Sequence, residues 1–135
     1  MSWWRGIYPN SKDFHCSTSS TAWLILGIPD STGACTGYTS YGALLSAGDT
    51  MLPGSNDDLP TGVPLMIIRT QGSSQADGSA FNVKKNTINT PNSADTGGDL
   101  VSGSGQTLVW EGVGVKQVWV KKSVAGDIIV GSAMY

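Results

Sequence analysis

Short β-branched or alternating runs recur along this chain, separated at roughly ten-residue intervals by glycine, proline or aspartate. Such runs are too short and too often broken for a stable helix, which needs about twelve residues with an apolar period near 3.6. They read as strands at 21–28 (TAWLILGI), 63–70 (VPLMIIRT), 79–85 (SAFNVKK), 100–101, 106–111 (QTLVWE) and in the ending VKQVWVKKSVAGDIIVGSAMY. In that ending Val118 and Val120 share one face, and Val115, Gln117 and Trp119 the other. Val124-Ala125-Gly126-Asp127 supplies a glycine for a turn, and Ile128, Ile129 and Val130 begin a return strand. The spacing predicts a β-hairpin with Val118, Val120, Ile128 and Val130 inward. Residues 38–45, with Tyr38, Tyr41, Leu44 and Leu45, fit a short helical turn or an irregular strand. The pattern as a whole predicts an all-β chain: a β-sandwich or jelly-roll-like single domain over 15–135, preceded by an extended N-terminal arm over 1–14.

A length of 135 residues is one domain's worth of core. Charged residues make up only 13% of the chain, so its polar surface comes from 17 Ser, 12 Thr and 18 Gly. Such a surface packs well against protein, where each buried charge needs a partner. A secreted or loop-rich β domain has the same composition. The net charge is −2, and Lys84, Lys85, Lys116, Lys121 and Lys122 are too dispersed for a nucleic-acid footprint. They read as lysines guarding a solvated strand edge. The first residues lack a basic segment followed by an apolar run, and the longest apolar run, 22–26, is far short of a membrane span. A protein soluble as made is expected, in a cytoplasm or through a route this chain does not encode.

Candidate chemistry is sparse. His15, the single histidine, adjoins Cys16, and neighbours on a strand point to opposite faces. No phosphate-binding glycine loop, metalloprotease helix motif or serine-elbow motif is present. Asp57 and Asp58 are adjacent loop acids that do not converge on one atom. Glu111 beside Trp110 lacks the second acid of a glycosidase. Trp110 and Trp119 could stack a sugar if both were exposed, but burial in the core is the expectation. Cys16 and Cys35 read first as buried free thiols, then as a disulfide, and last as a metal site. No catalytic, cofactor or metal residue is assigned, and the chain is not expected to be an enzyme.

The arm holds Trp3, Trp4 and Tyr8 around Arg5, with no helix or strand period. Ordering ten such residues costs about 1–2 kcal/mol each. Burying each aromatic returns only about 1.5–3 kcal/mol. A neighbouring subunit is therefore expected to supply the remainder, with Trp3, Trp4, Arg5 and Tyr8 as partner-binding residues.

The Ser/Thr/Gly/Asn-rich loops, the aromatic arm and the ending GVGVKQVWVKKSVAGDIIVG together resemble the small all-β virion proteins of tailed bacteriophages, of the capsid decoration (cement) or fibre-associated type. The resemblance implies a jelly-roll-like fold, virion location and a trimer bound to the major capsid protein or another virion protein. No membrane or nucleic-acid partner follows from it. The resemblance also leaves room for a receptor- or carbohydrate-binding module of a tail or fibre.

Overall fold

The computed structural model describes residues 8–49, 62–72, 78, 80–87, 89–92, 99–101 and 106–135. Trp3, Trp4, Arg5, Asp57 and Asp58 lie outside the described residues. The described residues form nine strands and one short helix: β1 (Ser11–Ser17), β2 (Leu24–Leu26), β3 (Gly37–Tyr38), α1 (Tyr41–Ser46), β4 (Val63–Gln71), β5 (Phe81–Lys85), β6 (Asp99–Val101), β7 (Thr107–Val115), β8 (Val118–Lys122) and β9 (Ile128–Met134). The chain is all-β, as the punctuated runs predict. No described helix is long and apolar enough to cross a membrane.

The strands form two antiparallel sheets, ordered β1-β9-β4-β7 and β3-β2-β8-β5-β6. Alternation decides which side chains meet between them. From the first sheet come Phe14, Cys16, Met66, Ile68, Trp110, Ile129 and Ala133, and from the second Leu24, Leu26, Phe81, Val83, Val118 and Val120. All belong to one buried cluster. Β7 bulges where Gly112 and Gly114 take positive φ (72° and 68°), a conformation that a side chain would strain. The pairing slips there, from Val63↔Val115 to Leu65↔Glu111.

Two expectations are corrected. The final segment is not a paired hairpin. Β8 lies between β2 and β5, and β9 between β1 and β4, so residues 123–127 carry the chain from one sheet to the other. Val118 and Val120 are buried as expected, but in β9 the inward residues are Ile129 and Ala133, while Ile128 and Val130 are half-buried on the outer side. The lysines do not guard an edge as a group. Β5 is an interior strand, with Lys84 5.8 Å from the Trp23 ring and Lys85 4.8 Å from the Trp110 ring. Lys122 is 3% exposed.

Β1 starts at Ser11, so the last four residues of the stretch read as an arm belong to the first sheet, with Phe14 in the core. The pairing continues outward through Asn10 and Tyr135, which exchange backbone hydrogen bonds of 2.8 and 2.9 Å.

A second cluster covers the other side of the five-stranded sheet. Trp119, fully buried, packs with Trp23, Ile25 and Leu44, the last supplied by α1. The helix starts at Ser40, whose hydroxyl accepts from the Ala43 amide. Tyr38 flanks the cluster and donates its hydroxyl to Asp49 at 2.8 Å, which holds its pKa above the ordinary value. The Trp119 indole donates to the Thr87 carbonyl at 2.7 Å. Trp119→Phe keeps most of the ring but orphans that carbonyl and leaves space. It is expected to destabilise the fold by about 1–3 kcal/mol, read from the denaturant midpoint at unchanged slope.

Candidate functional site

The outer face of the four-stranded sheet carries two side-chain rows fixed by register. One runs Asp13, Ser132, Ile67, Val109, and the next His15, Val130, Arg69, Thr107. They face outward because their strand neighbours Phe14, Cys16, Ile68, Ile129 and Trp110 face the core. A groove of about 450 Å³ lies over these rows and is bounded on the β1 side by Thr32 and Gly33. Its floor is apolar at Ile67 and Val130. Among the described residues, Asp13, His15 and Arg69 are the ionisable groups lining it. The Ser132 hydroxyl donates to Asp13 Oδ1 at 2.5 Å. Val109, on edge strand β7, continues the apolar floor outward and is 53% exposed.

The wall at residues 30–35 is built by Asp30. Its Oδ1 accepts from the Thr32 amide (2.8 Å), the Thr32 hydroxyl (2.7 Å) and the Ala34 amide (3.2 Å). The loop then pairs with β1: the His15 amide donates to the Gly33 carbonyl at 2.7 Å, and the Cys35 amide to the His15 carbonyl at 2.8 Å. The bonds from Thr32 hold the Asp30 carboxyl below its ordinary value of 3.8. A carboxyl with a depressed folded pKa stabilises the fold above its unfolded value, and loses that contribution as pH falls through the folded value. The Thr32 amide resonance is therefore expected to titrate with a midpoint below 3.8, the ordinary value. Asp30→Ala should abolish that titration and speed hydrogen exchange at Thr32 and Ala34.

Behind the sheet, where β8 gives way to the 123–127 link, lies a buried polar group. The Lys122 ammonium donates to the Asp127 carbonyl at 2.7 Å and to the Thr18 carbonyl. Burial pushes its pKa down. Cys16 and Cys35 lie beside it, both buried and both free thiols. Interaction with Cys35, helped by the Lys122 charge and opposed by burial, holds the Cys16 thiol below the ordinary range, while interaction with Cys16 and burial push Cys35 up. A further groove of about 440 Å³ lies at the end of β5, lined by Val83, Lys84, Lys85, Thr87, Asn89, Thr90 and Pro91.

Of the four residues read as partner-binding, Tyr8 alone is described. It is half-buried, two residues before the Asn10–Tyr135 bonds. His15 and Cys16 face opposite sides of β1, so no nucleophile–base pair forms between them. Glu111 is exposed on β7. Trp110 and Trp119 are buried in separate clusters, so they make no sugar platform. The groove residues Asp13, His15 and Arg69 and the Lys122 cluster went unrecognised in the sequence. The alternation of SKDFHCS was the available signal for the first two. Comparison with protein-family models, curated proteins and solved structures finds no match to the chain.

Proposed function

We propose that this chain is a non-enzymatic structural protein of a virion, a capsid decoration protein that binds an assembled shell and stabilises it. The observation that carries the reading is the outer face of the four-stranded sheet. Ile67, Val130 and the 53%-exposed Val109 form an apolar strip, with Asp13, His15 and Arg69 as the charge-bearing groups lining the groove there. The apolar strip has the character of an interface centre, and the flanking Asp13, His15 and Arg69 that of its polar rim. The strand order supports the reading more coarsely. Successive strands alternate between the sheets except for the pairs β2/β3 and β5/β6; with the two-residue β3 set aside, the orders 1-9-4-7 and 2-8-5-6 are those expected of a jelly roll. Viral capsid domains use that architecture, as do lectins and cupins, so the fold narrows the class without naming the activity.

The mechanism is mass action. A protein that binds only the assembled shell adds binding free energy to that state. The resemblance favours a trimer, and the cost of ordering the arm favours Trp3, Trp4, Arg5 and Tyr8 contacting a neighbouring chain. The test uses shells of the encoding virus assembled without this protein. The full chain should co-sediment with them and raise their melting temperature, and a chain lacking residues 2–8 should remain folded but fail to bind. Equal binding by both would assign the arm to the domain's own packing.

A second reading, a receptor- or carbohydrate-binding module, is favoured by the same groove. Arg69, His15, Asp13, Thr32 and Ser132 surround it with donors and acceptors suited to sugar hydroxyls. Binding on a glycan array without shell binding would select this reading.

A further inference from the structure

We propose that Cys16 and Cys35 are the two halves of an intramolecular disulfide, closed by exchange with a low-molecular-weight disulfide. Backbone pairing brings them together. His15 and Ala34 form a parallel bridge, flanked by the bonds from the His15 amide to the Gly33 carbonyl and from the Cys35 amide to the His15 carbonyl. The next residue on each segment is a cysteine, so the two sit side by side in register. Paired-strand neighbours lie about 5 Å apart at Cα, inside the span that a disulfide bridges. The chain has two cysteines in all, so no other intrachain pair competes.

Cys16 is 1% exposed and Cys35 8%, so a reagent enters only when the 30–35 loop lifts from β1. The Cys16 sulfur, beside the Lys122 ammonium, attacks one sulfur of the small disulfide and releases one thiol. The Cys35 sulfur then attacks the bound sulfur of Cys16, displaces the second small thiol and forms the 16–35 bond. Both protein protons leave on the released thiols. Two protein thiols are oxidised, and one small disulfide is reduced to two thiols. Burial leaves little room for a retained adduct, which drives the second step. Closing the loop between 16 and 35 restricts the unfolded chain and raises the unfolding midpoint by about 5–10 °C.

The experiment incubates the full chain with oxidised glutathione under native conditions, followed by intact-mass and peptide mapping. The expected result is the loss of two hydrogens, a 16–35 cross-linked peptide, a monomeric band on a non-reducing gel and the higher midpoint, all reversed by reductant. Cys35→Ser should show none of these changes. Persistent glutathione adducts, disulfide-linked dimers, or two thiols still free after prolonged incubation would overturn the proposal. The wild-type mass decides the outcome even where the variant does not fold.

Discussion

Replacing Val120 by aspartate is expected to leave no folded protein. Val120 is 1% exposed, pairs with Leu24 on one side and Val83 on the other, and belongs to the cluster that both sheets share. A carboxylate there has no partner. Lys122, two residues along the same face, is already committed to the Thr18 and Asp127 carbonyls. An unpaired buried charge costs more than about 4 kcal/mol, a large part of the roughly 5–15 kcal/mol that holds a domain together. The variant should be recovered unfolded or insoluble, with the strand signal lost from its far-ultraviolet circular dichroism. A soluble variant with unchanged melting would contradict the placement of β8.

Gly131→Ala should be the next most damaging single change. Gly131 lies in β9, opposite Phe14 of β1 and Ile68 of β4. A Cβ at this position would lie 2.4 Å from the Ile67 carbonyl oxygen and 2.5 Å from the Phe14 ring. The first contact is sheet backbone and the second a core ring, and neither can yield without disturbing its neighbours. Overpacking of this kind costs about 3 kcal/mol, equivalent to a fall of roughly 10 °C in the unfolding midpoint. A paired Phe14→Leu, Gly131→Ala variant should recover part of the loss if the ring contact is the cause.

The same glycine explains why one strand face was misread. Ile128, Ile129 and Val130 are all β-branched and carry no alternation, so the run itself does not choose an inward face. Gly131 and Ala133 choose it, because only small residues fit beneath Phe14 and the facing sheet. Β8 did carry its signal. Val118 and Val120 alternate with Trp119, and extending that period places Lys122 inward, where the structure has it. Its charge argued for solvent, and the two carbonyls that satisfy it lie at residues 18 and 127, one of them remote in sequence. Strand partners were unreadable for a similar reason. The 123–127 turn is equally compatible with a hairpin and with a crossing between sheets. The choice is made by β2 and β5, and by β1 and β4, which already occupy both edges of each strand. Trp119 is buried on its outward face beneath a cover built from Trp23, Ile25 and Leu44 of α1, residues far from it in sequence. The groove was present in β1 as alternating Asp13 and His15 against Phe14 and Cys16, but half of that pattern falls in the stretch that lacks a period when read together with the aromatics before it.

Titrating Val109→Asp protein against shells assembled without this chain tests the proposed attachment face most directly. Val109 is 53% exposed on an edge strand, so the substitution should leave melting unchanged while placing a charge at the outer end of the apolar strip. The wild-type chain should bind and saturate, and the variant should bind at least about tenfold more weakly. Wild-type protein that stays in the supernatant, or a variant that binds as tightly as wild type, would contradict the assignment.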